Sequence, residues 1–117
     1  MSDEQLITLL DDGLMIAART ARVLAKRNET LLRVEDFQVD GGISAAETAQ
    51  LRRVLSVFEG VGIVLNIDNG YHWRATTSPN KLTALSLKLE GAAAMDTLNK
   101  SRKSVEIVLT LRVILVT

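Results

Sequence analysis

The chain has 117 residues, with 14 Lys and Arg against 14 Asp and Glu, so net charge gives no overall pull toward a polyanion. Apolar residues make up 47% but aromatics only 3%, which predicts an aliphatic core and excludes a row of base-stacking aromatic side chains. There is no cysteine and one histidine, so disulfides, thiolate metal sites and histidine clusters are excluded and no cofactor is expected; the length suits one small domain with an appended segment.

The N-terminus, Met1-Ser2-Asp3-Glu4, is acidic and leads into no uninterrupted apolar run, so a signal peptide is not expected. Ser2 and Gln5 have the spacing of a capping box. Leu6, Leu10, Leu14, Ala17, Ala21 and Leu24 then form one apolar stripe. Residues 3 to 28 are either one long helix or two helices parted at Asp11-Asp12-Gly13, since one internal glycine costs only about 1 kcal/mol. Arg19, Arg22, Lys26 and Arg27 read as a solvated basic face whose cations complement the C-terminal end of the helix dipole. Leu31 to Val39 is a mixed apolar segment that the pattern does not assign, and Asp40-Gly41-Gly42 breaks it.

Ser44 stands three residues before Glu47, a second capping box that opens a helix. Leu51, Val54, Leu55, Phe58 and Val61 recur at helical spacing, and Gly60 and Gly62 are expected to stop the helix. The period then becomes two. Ile63 to Ile67 and Tyr71 to Arg74 flank Asp68-Asn69-Gly70, and Asn-Gly between apolar runs is a strong hairpin signal. Helix, glycine stop and hairpin make the second half of a winged helix-turn-helix. Turning 100° per residue puts Ala45, Ala46, Ala49, Arg53, Ser56 and Gly60 opposite the apolar stripe, with Arg52 at the edge. Small residues around an arginine suit the major groove of double-stranded DNA, and Arg74 on the wing suits a phosphate. The candidate DNA-binding residues are therefore Ala49, Arg52, Arg53, Ser56 and Arg74. The same face could equally pack on another protein.

Thr76-Thr77-Ser78-Pro79-Asn80 reads as a linker. Leu82, Leu85, Leu89, Met95 and Leu98, together with Ala92, follow as the seam of a helix that could dimerise with a like or unlike partner. From Val105 apolar residues alternate at 105, 107, 109, 111, 113 and 115 and many are β-branched, which predicts a terminal strand. Glu106 and Arg112 interrupt this stretch, and no membrane span is expected. Catalysis is not expected either. Gly60-Val61-Gly62 follows a helix instead of a strand, no phosphate loop occurs, and His72 reads as a strand residue with no nucleophile motif beside it.

Val57-Phe58-Glu59-Gly60-Val61-Gly62-Ile63-Val64, with Trp73 eleven residues after Gly62, resembles the end of the recognition helix and the wing of the E-two-factor and dimerisation-partner (DP) family of transcription factors. Asp12-Gly13-Leu14 leading into Ala17-Ala18 is similar to that family's step from first to second helix. The resemblance implies a nuclear winged-helix transcription factor, or a cytoplasmic one in a prokaryote, that binds DNA as a dimer through a coiled coil after the wing. The family's Arg-Arg-x-Tyr-Asp signature has its nearest match in Arg52-Arg53-Val54-Leu55-Ser56, without the tyrosine and aspartate and three residues closer to Glu59-Gly60. A second resemblance, of Ala21 to Arg27 and Thr30 to Phe37 to a histone fold, implies a heterodimeric interaction module instead. The fold expected is α+β: a winged helix-turn-helix over residues 1–77, a linker and dimerisation helix over 78–103, and a terminal β-strand over 104–117.

Overall fold

The computed structural model describes residues 3–116, and the side chains of these except for residues 3, 11 and 100–116. The fold is mixed α+β, mostly helical with one two-stranded antiparallel sheet. In chain order it contains α1 (Asp3–Leu10), a 3-10 turn at Asp11–Gly13, α2 (Leu14–Lys26), α3 (Val34–Gly41), a 3-10 turn at Ala45–Glu47, α4 (Thr48–Gly60), β1 (Val64–Ile67), β2 (His72–Ala75) and α5 (Pro79–Val116). Asp11-Asp12-Gly13 thus joins two helices by a single tighter turn. The capping box read at Ser2 lies outside the described residues.

The core is built around α2. Eight of its thirteen residues are buried, so it has several covered faces where an amphipathic surface helix has one stripe. Ala17, Ala18 and Ala21 are fully buried and lack bulk, which lets α5 lie close along α2. Leu24, Phe37, Leu51, Leu55, Phe58 and Leu82 are likewise inaccessible and belong to the same core cluster. Three of the four basic residues in and just after α2 tie it to other elements. The Arg19 guanidinium donates to the Gly42 carbonyl at 3.1 Å, Arg22 pairs with Glu90 on α5, and Arg27 lies 3.2 Å from Asp36 and 3.0 Å from Asp40.

The unassigned segment resolves into Leu32, held in an isolated bridge, and α3. Leu32 N–H donates to the Trp73 carbonyl and Trp73 N–H to that of Leu32, both at 2.8 Å. The Trp73 ring is 4% exposed and meets Phe37 edge to face, with centroids 6.4 Å apart. Trp73 therefore locks the hairpin to α3 by backbone and side chain together.

Helix ends follow the local chemistry with one refinement. The Glu47 carboxylate accepts the Ser44 N–H at 3.0 Å and the Ser44 hydroxyl at 2.9 Å, as the capping-box spacing implies. Gly60 remains helical, and Gly62 is the residue that ends α4, at φ +81°. Ile63 N–H reaches the Phe58 carbonyl and Gly62 N–H that of Glu59, a Schellman pair. In the hairpin Val64 pairs with Ala75 and Ile67 with His72. Asn69 and Gly70 have φ of 54° and 95°, and Tyr71 N–H closes the turn on the Asp68 carbonyl, as the primed turn requires.

Two expectations for the C-terminal part are corrected. Residues 104–116 are helical and continue α5, so the expected terminal strand is absent. Alternation misled because the stretch is apolar at both periods: Ile107, Val108, Leu111, Ile114 and Leu115 also fit helical spacing, and no glycine or proline follows Gly91 to stop the helix. The second is the role of Leu82 and Leu89 in a dimerisation seam, although a helix does start inside the expected 78–103 segment. Pro79 begins α5 at the position where its missing N–H is harmless, with Ser78 Oγ accepting from Lys81 N–H. Leu82 and Leu89 are fully buried in the same core as α2, so they cannot serve as an intermolecular seam, while Leu85 packs at its margin. Met95 and Leu98 are exposed by 56% and 45%. A compact chain of this size has a radius of gyration of about 13 Å. The observed 17.5 Å and long dimension of 64 Å reflect α5, whose 38 residues run to about 57 Å. Among the described residues, no helix is long and apolar enough to cross a membrane.

Candidate nucleic-acid interface

The buried stripe of α4, Leu51, Val54, Leu55 and Phe58, leaves the opposite side of the helix free. Ala45, Ala46, Ala49, Arg52, Arg53, Ser56 and Gly60 all lie outside the core, as the wheel predicts. The centre of this side is small, at Ala49, Ser56 and Gly60, so a surface can approach the backbone there, while the exposed Gln50 and Glu59 stand at its edges. Arg74, also expected here, is exposed on β2, where it borders a hollow with Glu29 and Thr76. That hollow is a different one from the cleft that Arg52 borders.

The adjacent arginines diverge. Arg53 leans toward α1 and donates to the Leu9 carbonyl at 3.3 Å. Arg52 turns the other way and borders a cleft of about 290 Å³ lined by Arg33, Val34, Glu35, Gly70, Tyr71 and His72. Side chains one residue apart on a helix point 100° apart, which accounts for the split. The middle of the face is left to Ala49 and Ser56.

Arg33, Tyr71 and His72 were absent from the sequence-derived site, and no local motif marks them. Arg33 precedes α3 and the other two follow the hairpin turn; the bridge between Leu32 and Trp73 is what brings them together. Tyr71 is 73% exposed. His72 Nδ1 lies 3.2 Å from an Asp68 carboxylate oxygen, close enough for an ion pair when the ring is protonated but without an aligned hydrogen bond.

Electrostatics around the two helices are set by caps. Asp36 has its pKa lowered, first by the hydrogen bond from Arg33 N–H and then by the neighbouring Arg27. Glu47 is lowered by the N–H and hydroxyl of Ser44. The Arg27 pKa is raised by Asp40 and then Asp36. These carboxylates are therefore committed to holding α3 and α4 in place, and no group of three potential metal-ligating side chains occurs among the described residues. A second hollow, about 400 Å³, lies between the start of the chain and α5, lined by Ile7, Thr8, Leu14, Ala92, Met95, Asp96 and Asn99.

No protein-family model, curated protein or solved structure matches the chain.

Proposed function

We propose that α3, the turn at Gly42, α4 and the hairpin form a winged helix-turn-helix that binds double-stranded DNA in a sequence-dependent way, and that the chain regulates transcription as part of a dimer. The observation that carries this reading is the free face of α4. It runs along α4 from Ala49 to Gly60 and on to the preceding turn at Ala45–Glu47, is small at its centre, carries Arg52 and Arg53 with Gln50 and Glu59 at its edges, and is flanked by a hairpin rigidly held through Trp73. A helix with that face can enter the major groove, where an arginine pairs in bidentate fashion with guanine, while Arg74 on the hairpin neutralises a phosphate. The likeness of Val57 to Trp73 to the E-two-factor and DP family supports the same reading. The histone-fold alternative loses its support, because α2 has 13 residues and α3 stops after 8.

The dimer is supported by the distal part of α5. Met95 and Leu98 are exposed, and the sequence from Val105 to Val116 is apolar on every side of a helix except at Glu106, Thr110 and Arg112. A helix of that composition needs cover. We assign dimerisation to Met95, Leu98 and the stretch of α5 beyond them, with Leu82 and Leu89 excluded.

Electrophoretic mobility with random duplex DNA at about 50 and 200 mM salt tests the reading, because binding should weaken steeply with salt through counterion release. Arg52→Ala with Arg53→Ala should abolish the shift without unfolding the chain, since both side chains are exposed. Affinity indifferent to both salt and the double substitution would sink the proposal.

A further inference from the structure

Two arginines and a histidine from three separate elements border the cleft beside α4: Arg33 at the entry to α3, Arg52 on α4 and His72 on β2. Gly70 contributes backbone without a side chain, and the exposed Tyr71 ring stands at the rim. Arg33 and Arg52 carry a fixed charge at any physiological pH and present planar forks of donors that match a phosphate. Three acids stand near them. Glu35 lines the same cleft, Asp68 faces His72 Nδ1 at 3.2 Å, and Asp36 is engaged by Arg33 N–H at 2.8 Å and by Arg27. Neither arginine has a carboxylate within ion-pair distance among the described residues. Two guanidinium groups that border one cleft of about 290 Å³ without a direct carboxylate partner make a receptor for a single small anion, with Glu35 opposing it and Asp36 partly offsetting Arg33.

We infer that this cleft binds one phosphate ester, gripped by Arg33 and Arg52 together, with the Tyr71 ring against the attached sugar or base. In the DNA reading, on which the source of the phosphate rests, the ester is a backbone phosphate next to the groove that α4 enters. Arg52 then fixes the position of α4 on the duplex and leaves base contact to Arg53, Ala49 and Ser56. A free phosphate ester, such as a mononucleotide, has the same chemistry.

Two measurements on the full chain test the site. The first follows backbone amide resonances of the DNA-free protein by NMR during titration with inorganic phosphate, against sodium chloride at equal ionic strength. Gly70, Tyr71 and Arg33 should shift with phosphate alone, the shifts should vanish in Arg33→Gln and Arg52→Gln, and Glu35→Gln should tighten the response. The second measures duplex DNA binding against salt. Each arginine variant should lose about tenfold in affinity, and the double variant little more than either single one, because both act on one phosphate. Its slope of log affinity against log salt should fall by about one, not two. Phosphate-dependent shifts with these DNA effects establish a backbone phosphate as the source. The same shifts in a protein whose DNA binding is absent, or untouched by the variants, keep the site and assign it to a free phosphate ester. Shifts that are missing, or that persist in both variants, overturn the inference even if DNA binds through Arg53 and Arg74. The variants remain interpretable as folded proteins because Arg33 holds Asp36 through its backbone N–H, which substitution preserves.

Discussion

α4 and α5 are both rich in leucine, yet they relate to the molecule in opposite ways. α4 is led in by a 3-10 turn that the Ser44–Glu47 box caps, is ended by Gly62, and divides its surface into one covered and one free face along its whole length. α5 has a defined start and no internal stop, and it changes along its length: Leu82 and Leu89 are fully buried, whereas Met95 and Leu98 are open. An apolar residue at helical spacing therefore means core in one helix and, in the other, core or free surface according to how far the neighbouring α2 extends. Burial is decided by the reach of the partner element.

Substitutions should break this comparison in order of how much buried apolar volume each one removes. Phe58→Ala, in the covered face of α4, should cost about 3–5 kcal/mol in urea unfolding, since Phe58 is fully buried and meets the core that α2 organises. Leu89→Ala should cost about 2–5 kcal/mol at every protein concentration. Leu98→Ala, on the same helix, should change stability by less than about 0.5 kcal/mol in dilute solution and matter only at concentrations where light scattering detects pairing. Equal costs for these two leucines would remove the distinction between the halves of α5.

The ends of α4 give a smaller contrast. Gly62→Ala forces a side chain onto a residue at φ +81° and should cost about 1–2 kcal/mol, although an added methyl would meet no neighbour. Gly60→Ala should instead stabilise by up to about 1 kcal/mol, because Gly60 is helical and its surroundings are open. Thermal melts of the two variants should therefore move in opposite directions.

Acid should have the smallest effect. Asp36 and Glu47 have lowered pKa values in the fold, so their stabilising contribution is complete above the ordinary carboxylate range and is lost as pH falls through the lowered values. The melting temperature should decline from about pH 4.5 downward, and Asp36→Asn with Glu47→Gln should flatten that limb. Both side chains remain partly exposed to solvent, which screens these interactions, so the change is modest.

The sequence by itself determined the α4 and hairpin unit. Ser44 with Glu47, the stripe from Leu51 to Phe58, the glycine stop and Asn69-Gly70 all act over a few residues, and local chemistry of that range is readable without the fold. Tertiary structure alone decided three things. It made Val105 to Val116 a helix, where two periods fitted equally well. It took Leu82 and Leu89 out of a presumed interface, because the alanine face of α2 was available to cover them. It also drew Arg33, Arg52, Tyr71 and His72 to one cleft, since residues nearly forty positions apart meet only through the pairing of Leu32 with Trp73. Proximity made by a long-range backbone bridge leaves no periodic trace in the chain.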